Sequence, residues 1–119
     1  MKKNNRETGS LYEQMAVNYL KQKGYVIVEK NYRCRIGEID IIARHKGYLV
    51  FIEVKYRKNL YSGMPAEAVN DKKQRVISKV ARWYMMQQRI PIDEPVRFDI
   101  VSILGTQLTI FTNAFEYRG

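Results

Sequence analysis

Cysteine is almost missing from this sequence: Cys34 stands alone among 119 residues. A single thiol excludes an internal disulfide and any cysteine-rich zinc site, and Cys34 is read as a small buried side chain. Histidine is equally scarce. His45 sits in a turn with no second imidazole to work with, so it is read as structural. No apolar run approaches the roughly 20 residues of a membrane-spanning helix. The basic opening MKKNNRETGS is not followed by the apolar segment of a secretory signal. Repeats, low-complexity tracts and linkers rich in Pro, Gly or Ser are absent too. The expectation is one domain spanning 1–119, reduced, cytoplasmic and without a membrane partner.

Acid is the scarcer charge. Lys and Arg number 21 against 12 Asp and Glu, a formal net charge of +9. An excess of this kind serves a polyanionic partner or general solubility, and its distribution discriminates between them. Residues 1–36 carry eight basic and three acidic side chains, and residues 56–89 carry eight and two. Between them, residues 37–55 carry three of each, and residues 90–119 carry two basic and four acidic. A neutral stretch holding Glu38, Asp40 and Glu53 is thus flanked by two strongly basic ones.

The elements follow from periodicity. Leu11, Met15, Ala16, Tyr19 and Leu20 recur at helical spacing, which predicts a helix over 9–23 with Ser10 as cap and Gly24 as stop. Strands are predicted at 25–32, 38–44 and 48–57. The last is apolar on both faces from Tyr48 to Ile52, as a central strand is. A loop follows at 58–65, then a turn of helix from Pro65 through Val69, then a helix over 71–88 capped by Asn70. Strands at 96–104 and 108–112 close a hairpin at Gly105, with Phe115 packing on the core. The order is helix, three strands, helix, two strands, which makes an α/β fold: a mixed five-stranded sheet flanked by helices.

Glu53 and Lys55 are two apart on one strand, so they share a face about 6–7 Å apart. A connecting loop of four residues, 45–48, would pair Arg44 with Leu49 and set Asp40 opposite Glu53, with Cβ atoms about 4.5–5.5 Å apart. A three-residue loop would put Asp40 on the wrong face. In the favoured register Ile39 and Ile41 join Ile52 and Val54 on one side, while Asp40 and Ile42 join Phe51 and Glu53 on the other. An E-x-K pattern alone is commonly a solvated face or an ion pair worth less than about 1 kcal/mol. Charges at the end of a two-sided apolar strand need partners, and two carboxylates that close need a cation or a proton between them. A hard divalent cation, Mg2+ or Mn2+, suits such a pair. It would activate water and polarise a phosphodiester, with Lys55 orienting the water and offsetting charge on the phosphate. Glu38 and, from the first helix, Glu13 are further acids within reach.

On the helix 71–88, Lys72, Arg75, Lys79 and Arg82 fall on one face and would track a phosphate backbone, with Arg57 and Lys58 nearby. Val69, Val76, Ile77, Val80 and Tyr84 form the apolar stripe. Lys73 lies within that stripe, so it must snorkel or meet the acidic site. Tyr56 and Tyr61 beside Arg57 and Lys58 could stack on bases, and Trp83 with Met85 and Met86 ends the helix as packing or as a partner surface.

The runs GEIDIIA (37–43) and FIEVKYR (51–57) resemble the D…(E)xK core of the PD-(D/E)XK nuclease superfamily. Over nearly its full length the chain is similar to the YraN-like family of uncharacterised bacterial proteins, through KNYRCRIGEIDIIA (30–43), LVFIEVKYR (49–57), PAEAVNDKKQ (65–74), RFDIV (97–101) and NAFE (113–116). This likeness implies a restriction-endonuclease-like fold, related to archaeal Holliday-junction resolvases. Carried over by position, it implies a site of Glu13, Asp40, Glu53 and Lys55, with metal on Asp40, Glu53 and Glu13. The superfamily often places a polar helix residue near its metal, which implies Lys73 and Gln74 as secondary site candidates. Ile39 stands where the superfamily's name has proline. The resulting expectation is a metal-dependent DNA endonuclease acting on branched or damaged DNA, with DNA as partner. A homodimer would follow by symmetry if both strands of a junction are cut. The alternatives are a non-catalytic nucleic-acid-binding protein on the same fold and, third, a protein-interaction module docking through Trp83–Met86.

Overall fold

The computed structural model describes residues 5–57 and 69–119, with side chains from residue 11 onward in the first helix. The expected loop 58–65 and the turn of helix after Pro65, with Lys58 and Tyr61, lie outside the described residues. The chain runs α1 (Asn5–Gln22), β1 (Val26–Arg33), β2 (Glu38–His45), β3 (Tyr48–Arg57), α2 (Asp71–Gln87), β4 (Val96–Leu104) and β5 (Gln107–Phe115). The five strands lie side by side in sequence order, with β3 in the middle. Neighbours are antiparallel except β3 and β4, which are parallel. A parallel pair needs a crossover connection, and α2 lies within it. The sheet is mixed and flanked by two helices, as the element order implied.

Each face of the sheet packs on one helix. Ala16, Val17 and Leu20 of α1 bury against Ile41, Val50, Ile52, Val101 and Ile103. Ile77, Val80, Ala81 and Tyr84 of α2 bury against Ile42, Leu49, Phe51, Phe98 and Ile100. The apolar run of β3 feeds both layers, which explains why it shows no alternation. Phe115 packs on the α2 side, stacked on Phe98.

Several local expectations are corrected. The first helix starts at Asn5, so Ser10 is interior and not its cap. Its buried face is centred on Ala16, Val17 and Leu20, whereas Leu11 is 52% exposed. The final strand is longer than 108–112 and carries a bulge, where Phe98 faces Phe115 but Ile100 faces Phe111. The β2–β3 register is the expected one, with Arg44 facing Leu49, but His45 and Tyr48 also pair. The connection is therefore two residues, Lys46 and Gly47, with φ of 50° and 85°. Positive φ at both positions is the mirror-image turn whose twist suits tight hairpins. Ile39 does not stay with Ile41. It joins the cluster beneath α2, because the β2–β3 ladder ends at Ile41–Ile52 and the two strands diverge beyond it.

At the turn end of β2, a buried polar cluster ties β2, β4 and β5 to the residue just before β1. The Asp99 carboxylate is fully buried and accepts from Tyr25 Oη (2.6 Å), Arg97 Nε (2.9 Å), Arg97 Nη2 (2.8 Å) and the backbone N–H of Asn113 (2.9 Å). Arg97 Nη2 also lies 2.8 Å from His45 Nδ1, and the His45 ring stacks on Tyr25 at 3.9 Å. Burial, Arg97 and Lys46 hold His45 below its ordinary pKa, so it is a neutral acceptor at pH 7. The structural reading of His45 fits this geometry.

Removing one member of a buried ion pair strands the other, at a cost of about 3–5 kcal/mol. Asp99→Ala should destabilise by that order in urea unfolding, and Arg97→Met added to it should recover part of the loss. Gly37 provides a second check, because a Cβ built there would lie 2.8 Å from Val76 Cγ1 and 3.4 Å from Val80 Cγ2 of α2. Gly37→Ala should cost about 1–3 kcal/mol by overpacking. An unchanged unfolding midpoint would show that α2 is free to shift.

Candidate active site

Where β2 and β3 part, Asp40 fills the gap. Its Oδ2 accepts the backbone N–H of Val54 at 2.8 Å, a donor the shortened ladder leaves free. The Asp40 carboxyl is also in hydrogen-bonding contact with that of Glu53, the next residue on β3 after the last ladder pair. Glu53 is 6% exposed and points to the α2 side, as Phe51 does. Burial and the Glu53 carboxylate push Asp40 up to about 8, although the Val54 N–H pulls the other way. Burial alone would raise Glu53 as well, but the Asp40 hydrogen bond and the ammonium groups of Lys73 and Lys55 outweigh it and hold Glu53 below its usual value. Near pH 7 the pair shares one proton, donated from Asp40 to Glu53.

Two ammonium groups close on the pair. Lys73 Nζ lies 2.9 Å from Glu53 Oε2, and Lys55 Nζ lies 3.5 Å from the same atom. Burial and the Lys73 charge lower the Lys55 pKa against the pull of Glu53. Glu53 outweighs burial at Lys73, whose pKa is raised. Lys73 thus meets the acidic site, being the one cation of α2 in line with the apolar stripe, although its side chain stays 44% exposed. Its place is fixed by the Asn70 cap, whose side chain accepts the Lys73 N–H. The contacts at Oε2 are electrostatic: no donor is aligned on that buried atom among the described residues.

Asp40, Glu53, Lys55 and Lys73 therefore converge. Glu13 is close enough for its charge to raise Asp40, but Asn31 Nδ2 holds its carboxylate at 2.7 Å. Among the described residues no group of three or more His, Cys, Asp or Glu side chains converges to hold a metal ion. Two expected members are engaged elsewhere. Glu38 is paired on the surface with Arg33 at 2.9 Å, because its strand neighbour is the nearer cation. Gln74 bonds the Val69 carbonyl (2.9 Å) and accepts from Arg118 Nε (2.7 Å), which ties α2 to the end of the chain. Arg57 stands two residues beyond Lys55 on β3, half-buried. Lys72, Arg75, Lys79 and Arg82 are all exposed on α2. The Val54 and Asn31 contacts were missed by the sequence reading, since neither leaves a pattern. The Arg97–Asp99 pair did leave one: two charges at strand spacing in an otherwise apolar run.

The match of the chain to known proteins is extensive. Residues 12–103 match the model of "Uncharacterised protein family UPF0102". The chain belongs to this family. It is 47% identical over 116 residues to a UPF0102 protein of Lachnoclostridium phytofermentans, covering 98% of each chain. It is 46% identical over 114 residues to one of Legionella pneumophila strain Corby, covering 93% of this chain and 96% of that one. A third, from Clostridium botulinum strain Kyoto, is 42% identical over 118 residues, covering 94% and 96%. The YraN-like family expected from the motifs is this UPF0102 family. The matched span includes Glu13, Asp40, Glu53, Lys55 and Lys73.

The carboxyl pair has a pH signature. The folded pKa of Asp40 lies above its unfolded value near 4, so the stability it contributes is complete below about pH 4. It is lost as pH rises through about 8. Asp40→Asn should remove that loss, so its stability relative to the wild type should rise between pH 5 and 9. Parallel pH profiles in urea unfolding would show the carboxyl to be ionised throughout.

Proposed function

We propose that this protein is a metal-dependent DNA endonuclease of the PD-(D/E)XK type, acting on branched or damaged DNA in the cytoplasm. The observation that carries the reading is the contact between Asp40 and Glu53, two buried carboxyls with Lys55 beside them. The pair fits a divalent cation by its chemistry. The carboxyls are hard oxygen donors, Glu53 Oε2 has no aligned donor among the described residues, and the proton that Asp40 retains is what a cation would replace. Magnesium commonly takes one or two protein carboxylates and fills the rest of its shell with water and phosphate, so a cage of three acids is not required.

Asp40 and Glu53 would hold the ion, with Glu13 completing the shell from α1 through water. When bound, a divalent cation supplies a lowered pKa for coordinated water and polarises the phosphodiester. Lys55 orients the attacking water and offsets the charge that builds on the phosphate oxygens. Its lowered pKa suits a group that exchanges hydrogen bonds with water. Lys73, already on Glu53, keeps that carboxylate ionised and in place. Lys72, Arg75, Lys79 and Arg82 bind phosphates along the exposed side of α2. The likeness of GEIDIIA and FIEVKYR to the superfamily core supports the assignment, with Ile39 in place of its proline.

A second reading has its own support. Lys73 at 2.9 Å itself offsets the Glu53 charge, as befits a nucleic-acid-binding protein that has no catalytic step. One comparison separates the two. Purified protein is incubated with duplex, single-stranded and four-way-junction DNA in Mg2+, Mn2+ or chelator, and its thermal stability is followed in parallel. The enzyme reading expects cleavage abolished by chelator and lowered at least 100-fold by Asp40→Asn or Glu53→Gln. It also expects stabilisation by Mn2+ that is larger at pH 9 than at pH 5. Salt-sensitive binding with neither effect would leave the binding protein.

A further inference from the structure

The solvent face of α2 carries more than cations. At 3.6 residues per turn, Lys72, Arg75, Lys79, Arg82, Trp83 and Met86 fall within an arc of about 100°. The opposite side packs Ile77, Val80, Ala81 and Tyr84 on the sheet. Trp83 is 41% exposed and Met86 63%. Trp83 is therefore only partly covered, unlike Val80, Ala81 and Tyr84 on the inner side of the same helix. An aromatic ring partly exposed within a row of Lys and Arg combines the two elements that single-stranded nucleic acid requires: cations for phosphates and a flat π-surface for a base. Beyond it, Arg82 and Met86 also line a cleft of about 570 Å³ floored by Phe98 and Phe115, so the apolar surface continues past the ring.

We propose that Trp83 is a stacking platform for an unpaired base, and that α2 guides a single-stranded segment from this platform toward the acid pair. The proposal rests on the nucleic-acid reading above and adds the class of substrate: DNA with at least one strand unpaired. Trp83 lies ten residues after Lys73, about 15 Å along the helix, a distance a few nucleotides cover. Fully paired duplex keeps its bases stacked inside and offers the ring nothing. Two other occupants are disfavoured by the same residues. A second copy related by a twofold axis would set Lys72, Arg75, Lys79 and Arg82 against their own images. A membrane surface would be served by the cations and the ring, but it gives no role to Lys73, which the same helix sends to Glu53.

Trp83 is the sole tryptophan of the chain, so its fluorescence reports this face alone. The full-length protein is titrated in chelator, so that nothing is cleaved, with oligo(dT) and with a blunt hairpin duplex. Intrinsic fluorescence and the anisotropy of labelled DNA are followed together. Oligo(dT) should quench Trp83 while the duplex does not. Trp83→Ala should weaken oligo(dT) binding about tenfold and leave duplex binding within about twofold, with Trp83→Phe retaining most of the affinity. Duplex binding with no quenching by oligo(dT), or equal losses on both DNAs in Trp83→Ala, would overturn the platform and leave the endonuclease reading standing. Failure to bind any DNA would overturn both. Self-association lost in Trp83→Ala with DNA binding intact would assign the face to a second copy. A fluorescence shift on phosphatidylserine vesicles without any response to DNA would assign it to membrane.

Discussion

Two carboxyl groups touching inside a folded protein form an unstable arrangement unless something lies between them, and the contact of Asp40 with Glu53 organises the chain around that problem. One proton answers it near neutral pH. Lys73 and Lys55 answer it further from the sides, and the Val54 N–H does so from below. Val54 and Lys55 follow Glu53 on β3, Lys73 comes from α2 and Asp40 from β2, so the acid pair makes the divergence of β2 and β3, the crossover and the placement of α2 interdependent. Substitutions that relieved the repulsion would simplify the fold, and its persistence in the structure is the physical reason to look for chemistry there.

The same economy appears in the helix that crosses the sheet. One side of α2 supplies the core with Ile77, Val80 and Tyr84, its first turn sends a cation into the acid pair, and its outer side presents a cationic and aromatic row to solvent. A 17-residue helix can hold three such surfaces only because its buried stripe is narrow. On the endonuclease reading, binding and chemistry then share a single rigid body. The spacing between the phosphate-tracking row and the scissile bond would be set by helix geometry, not by a loop.

Much of this was legible in the sequence. Alternation and turn residues located every strand, and the two-sided apolar run 48–52 identified the middle one. The register that sets Asp40 against Glu53 followed from which residues had to face inward, even though the turn itself is two residues shorter than expected. The cation in the apolar stripe of α2 announced Lys73. What could not be read were contacts that no periodicity encodes. Asn31 capturing Glu13, Arg33 withdrawing Glu38 and Arg118 withdrawing Gln74 are each decided by which partner happens to be nearest in three dimensions. The rotation of α1 was hidden because Leu11 and Met15 are as apolar as Val17, and only packing chose between them. The swing of Ile39 to the α2 side follows from the end of a ladder, which alternation assumes will continue.

The sheet is fastened very differently at its two ends. At one, Arg97 holds His45 beside Tyr25 in the buried polar cluster, and the strands of the adjoining hairpin pair all the way to a tight turn. At the other, β2 and β3 stop pairing and part. Beyond Ile41 and Ile52 the two strands are joined through the Asp40 side chain in place of backbone, while each stays in the sheet through its other neighbour, so the acid pair sits in a closed seam and not at a free edge.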